Sequence, residues 1–60
     1  MPNYIGKQVE LDGHTWTIQG PAPKSGRFHA SRFDDDMGRT VWIEVRVKRG
    51  TFNDWEQARG

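Results

Sequence analysis

Residues 39–49 alternate strictly between apolar and polar. Val41, Ile43, Val45 and Val47 take every second position, and Thr40, Trp42, Glu44, Arg46 and Lys48 fall between them. Alternation with a period of two predicts a β-strand with one buried and one wet face. A helix would scatter these four aliphatics around its circumference, and β-branched side chains favour a pleated surface. Residues 4–11 predict a first strand, with Ile5, Val9 and Leu11 on one face. Asp12-Gly13 then suits a two-residue type I′ hairpin, in which both central residues need positive φ. That turn sets Leu11 opposite His14, Val9 opposite Trp16 and Lys7 opposite Ile18. The second strand, 14–19, therefore adds Trp16 and Ile18 to the apolar face and leaves Thr15 and Thr17 on the other.

Gly20-Pro-Ala-Pro-Lys-Ser-Gly26 predicts an exposed loop, because its two prolines lack donors and its glycines permit sharp reversal. Residues 27–33 predict a third strand. Phe28, Ala30 and Arg32 share one face, and Arg27, His29, Ser31 and Phe33 the other. Residues 34–38 form the tip of a second hairpin. If Phe28 and Ala30 share a core with Val41, Ile43, Val45 and Val47, two registers are open. One pairs Phe28 with Val45 and His29 with Glu44; the other pairs Phe28 with Ile43 and Arg27 with Glu44. A one-residue slip would invert the buried face and is excluded. Thr51-Phe-Asn-Asp54 resembles a capping box, and 52–59 predicts a two-turn helix docked through Phe52 and Trp55.

The expected architecture over 1–60 is a single, mainly β domain. It is a four-stranded antiparallel meander, twisted or half-closed like an SH3-type barrel, with one short carboxy-terminal helix. Its core is Val9, Leu11, Trp16, Ile18, Phe28, Ala30, Val41, Ile43, Val45 and Val47, closed by Phe52 and Trp55.

The chain has 60 residues, and a domain of that size has a marginal core because it buries only about 60% of its unfolded surface. It has no cysteine, so neither a disulfide nor a thiolate metal site can staple it. Three Trp and three Phe supply the bulk such a core needs, and not all of them fit inside. No apolar run is long enough to span a bilayer and the start lacks a signal-peptide pattern, so the expected compartment is cytoplasmic. Nine basic and eight acidic residues give a net charge of +1, which is not the composition of a strongly basic nucleic-acid binder. The basic residues nevertheless gather in the second half, which leaves room for a local basic surface.

Candidate chemistry is sparse. The 20–26 loop does not follow the order Gly-x-x-x-x-Gly-Lys-Ser, so it is not a P-loop. Asp34, Asp35 and Asp36 lack the alternate spacing and distant glutamate of a calcium loop, and read as a solvated turn. His14 flanks the core, and His29 meets an acid across the strand. Neither has a nucleophile nearby, and general acid–base work needs an enclosed pocket. The expectation is a non-enzyme with no cofactor and no metal.

Trp42 carries the functional signal. It shares a face with Arg27, His29, Arg46 and Lys48 in either register, and these five residues are the candidate binding site. As a stacking platform it would be worth about 1–3 kcal/mol per base, with basic neighbours steering phosphates toward it. Trp and Arg are equally the preferred anchors of protein interfaces. The alternative is simple packing on Phe33 or beneath the helix.

Three segments, Gly-Arg-Phe-His-Ala-Ser-Arg from Gly26, Arg-Thr-Val-Trp-Ile from Arg39 and Gly-Thr-Phe-Asn-Asp-Trp-Glu-Gln-Ala-Arg from Gly50, resemble AP2-type domains. Those are similar to integrase arm-binding domains, in which a three-stranded sheet enters the DNA major groove and a helix supports it. The resemblance covers little more than half of the chain. The chain departs from it by the stretch 44–49, the acidic turn, the short helix and the added amino-terminal hairpin. Two functions are therefore expected. One is binding of DNA or RNA through a basic, aromatic sheet face. The other is a protein-binding regulator or inhibitor, of the small accessory kind that phages and mobile elements encode. Neither involves a membrane or a small-molecule substrate.

Overall fold

The computed structural model describes residues 4–48 and 54–58. Five strands, β1 (Gln8–Leu11), β2 (His14–Pro21), β3 (Arg27–Asp34), β4 (Arg39–Val47) and β5 (Trp55–Gln57), form one antiparallel sheet in chain order. The two edge strands, β1 and β5, approach each other and nearly close the sheet into a barrel. The barrel fits the SH3-type shape expected; the strand count and the helix do not.

The first hairpin follows the type I′ expectation. Asp12 has φ 54° and Gly13 φ 78°, and Leu11 pairs with His14 and Val9 with Trp16. His14 is exposed rather than flanking the core. The first strand is shorter than expected. Residues 4–7 form a turn closed by the Lys7 N–H donating to the Tyr4 carbonyl at 2.9 Å, with Gly6 at φ 89°. A side chain at Gly6 would be strained there. The turn returns Tyr4 to the inside, where its ring meets Phe28 and Trp55 edge-on, each at 5.2 Å between centroids.

β2 runs further than expected, through Gly20 and Pro21. The pairing steps from Ile18 opposite Ala30 to Gly20 opposite His29, so Gln19 is an extra, bulged residue. The bulge lets the strand bend and continue, and Pro21 sits at its last position, where a missing donor is tolerated. Of the two open registers in the second hairpin, the structure adopts Phe28 with Val45 and His29 with Glu44.

The predicted helix over 52–59 is not formed in its described part. Residues 55–57 are strand β5, which pairs Trp55 with Val47 and Gln57 with Val45. Two turns of helix gain little alone in water, whereas the second edge of β4 carries backbone donors and acceptors that need partners. The Lys48 N–H donates to the Asp54 carbonyl at 2.7 Å, and the Ala58 N–H to the Glu44 carbonyl at 2.8 Å. Thr51, Phe52, Asn53 and Arg59, on which the capping box, one core residue and the helix end rested, lie outside the described residues.

Val9, Trp16, Ile18, Ala30, Val45 and Trp55 form the buried core, with Ile18 and Val45 wholly inside. Leu11, Phe28, Val41, Ile43 and Val47 pack around them. Arg32 shares the inner parity of Phe28 and Ala30. Its guanidinium lies 5.1 Å from the Trp16 ring centroid, and its Nη2 lies 3.5 Å from Asp34 Oδ2. A cation thus covers the end of the core through an aromatic face rather than entering it.

Candidate functional site: the outer face of the β3–β4 hairpin

Antiparallel pairing places alternate residues of β3 and β4 on the outside of the barrel. Arg27 lies opposite Arg46, His29 opposite Glu44, Ser31 opposite Trp42 and Phe33 opposite Thr40. Trp42 is 58% exposed and Phe33 59%. Neither packing role considered for Trp42 is realised to any depth. Phe33 stands diagonal to Trp42 in the pairing, within reach for large side chains. The sheet thus presents two neighbouring aromatics on one wet face, and Met37 is exposed in the adjoining turn. Phe33 was legible as an outer-face residue from its parity, although the candidate set omitted it.

Four members of the candidate set sit at one end or the middle of this face. Arg27 and Arg46 are direct cross-strand partners, and like charges opposite each other are unfavourable unless neutralised. Two carboxylates do so. Arg27 Nη1 lies 3.4 Å from Glu44 Oε2, and Arg46 Nη2 lies 3.6 Å from Glu56 Oε2 on β5. His29 faces Glu44 in the pairing, but Glu44 directs its oxygen to Arg27. Lys48 is exposed just beyond the end of β4. The cationic end of the face therefore interleaves three bases with two acids. Beside Trp42, Ser31 is buried, and its hydroxyl accepts from Gln19 Nε2 at 3.0 Å, so the bulge anchors the middle of the face.

The opposite end is acidic. Asp34 Oδ1 accepts the N–H groups of Asp36 at 2.9 Å and Met37 at 3.1 Å, and the Gly38 N–H donates to the Asp34 carbonyl at 2.7 Å. One carboxylate of the run thereby shapes the turn. Asp35 and Asp36 are exposed and have no ion pair among the described residues.

Two hollows open on the surface of the barrel. One, of about 360 Å³, lies along the seam between β1 and β5, with Gln8, Glu10, Lys48, Asp54 and Trp55 among its walls. The other, of about 450 Å³, lies between His14, Arg32, Phe33 and the three aspartates. Both are half open to solvent. Among the described residues, no group of three His, Cys, Asp or Glu side chains is placed to hold a metal ion, and no helix is long and apolar enough to cross a membrane.

No family model, curated protein or solved structure matches the chain. The segment that the AP2-type resemblance reads as a supporting helix is, in its described part, strand β5.

Proposed function

We propose that this protein is a non-catalytic binding module whose outer β3–β4 face docks a protein partner. The observation that carries the reading is the exposure of Phe33 and Trp42 on diagonal positions of a hydrogen-bonded hairpin. Exposed aromatics flanked by polar residues are what interface hot spots use. The charges favour a protein over a polyanion. Arg27 and Arg46 already share carboxylates, and Glu44 sits on the face itself, where it repels phosphate.

A second reading keeps nucleic acid as the ligand. It rests on Arg46, which lies on the same strand and face as Trp42 and whose pair with Glu56 is long and half exposed. Such a pair is worth little and can exchange for a phosphate. One experiment separates the two readings. Immobilised protein is exposed to lysate from the source organism, with and without nuclease, beside Trp42→Ala. Capture that survives nuclease and high salt and is lost in Trp42→Ala supports protein docking. Capture that nuclease abolishes, with an oligonucleotide affinity that falls steeply with salt, replaces it with the second reading. Equal capture by the Trp42→Ala variant overturns both.

A further inference from the structure

The outer face is ordered along its length. On β3, Arg27 lies four residues before Ser31, about 13 Å away at about 3.3 Å per extended residue, and Asp35 opens the turn just past the other end of the strand. On β4, Arg46 lies four residues from Trp42 toward the cationic end, and Thr40 lies two residues the other way, next to the acidic turn. The middle positions follow the same pattern. Phe33 is two residues from Ser31 on the acidic side, and His29 is two residues from it on the cationic side. Toward Arg46 the face carries Arg27, Arg46 and Lys48 against Glu44 and Glu56, and the turn at its other end carries the exposed Asp35 and Asp36, so the net charge changes sign across the Ser31–Trp42 pair.

A surface with this pattern is complementary to itself after a half-turn. We propose that the partner of the face is a second copy of this chain, joined as an isologous dimer whose two-fold axis passes through the Ser31–Trp42 pair. This inference rests on the docking-face reading above and names its occupant. Rotation about that axis sets Trp42 against Trp42 and Phe33 of each copy over His29 of the other. It also brings Asp35 and Asp36 of each copy toward Arg46 and Lys48 of the other, the two bases of the face that stand exposed. An isologous interface requires that such contacts occur twice. Asp35 and Asp36 have no ion pair among the described residues, and the Arg46–Glu56 pair is weak enough to rearrange. Aromatic pairs at the axis add edge or offset stacking to the area they bury.

Charge reversal tests the arrangement. Three samples are measured by sedimentation velocity from micromolar to millimolar concentration: the parent, an acid-reversed variant (Asp35→Lys with Asp36→Lys) and a base-reversed variant (Arg46→Glu with Lys48→Glu). The parent should dimerise, and each variant alone should dimerise at least about tenfold more weakly, because like charges now meet. An equimolar mixture of the two variants should recover a heterodimer, identified by mass in native mass spectrometry. That recovery also shows that both variants are folded. Trp42→Ala should weaken the parent dimer with its circular dichroism unchanged. A parent that stays monomeric at millimolar concentration overturns the second copy. If that monomer still captures a nuclease-resistant partner through Trp42, the docking face stands without it. A parent dimer that is indifferent to both reversals, or a mixture that stays monomeric, also overturns the inference.

Discussion

The inner and outer faces of the β3–β4 hairpin are built from alternate residues of the same two strands, yet they are used in opposite ways. Inside, Ala30 and Val45 are wholly buried, and Phe28 meets Trp55 edge-on at 5.7 Å. Outside, Phe33 and Trp42 stand more than half exposed among charged neighbours. Fully burying a large apolar side chain contributes about 1.5–3 kcal/mol, a large share of a small domain's total stability. Trp16 and Trp55 contribute in this way and Trp42 does not. The difference teaches that stability accounts for the inner aromatics and does not account for the outer pair, the contrast on which the proposed docking face rests.

The comparison is broken most severely from the inside. Trp55→Ala removes the ring that joins Tyr4 and Phe28 and should cost about 3–5 kcal/mol, leaving the chain largely unfolded by circular dichroism at room temperature. Retention of a cooperative melt near the parent's would mean that β5 is dispensable. Next come two isoleucines on the same inner face, both level with Ala30. Ile18→Ala should cost about 2–5 kcal/mol, and Ile43→Ala clearly less, because Ile18 is fully enclosed while Ile43 is only half-buried. Urea midpoints compare the two, and equal losses would count against a core centred on Ile18 and Val45.

The outer face should respond differently. Trp42→Ala should shift stability by no more than about 0.5 kcal/mol, as surface changes usually do, while abolishing partner capture. A destabilisation like that of an inner residue would move Trp42 into the structural class and remove the contrast. The smallest effect belongs to Arg46 and Glu56. A double-mutant cycle with alanine at each should give a coupling of about 0.2–1 kcal/mol that falls as salt is added. A salt-independent coupling would mean that the pair acts through packing.

Much of this contrast was legible in the residues. Alternation over β4 put Trp42 outside and Val45 inside without any structure, and Asp12-Gly13 set the first hairpin's register. The second register was not legible, since both options keep the same parity. It is set by a loop in which Asp34 accepts two backbone N–H groups, a detail of turn chemistry rather than of alternation. The carboxy-terminal segment misled because Asp-Trp-Glu-Gln-Ala carries residues suited to a helix, while the unpaired edge of β4 decided its conformation. That error also hid part of the site. Without β5 there is no Glu56 beside Arg46, and the arginines read as more available to phosphate than their partners leave them.

The order in which the strands pair bears on the speed of folding. Among the described residues, each strand pairs with its neighbours in the chain, β1 to β2 and so on to β5. Every ladder can therefore form by closing a short loop, and the entropy of loop closure is small for each. The approach of β1 to β5, together with the packing of Tyr4 and Phe28 on Trp55, joins distant parts of the chain. Folding rates fall as the mean sequence separation of contacts rises, so this barrel should fold fast for an all-β protein, with its seam closing after the hairpins. Stopped-flow refolding should then show a folding rate little changed by substitution in the seam, and an unfolding rate that rises instead.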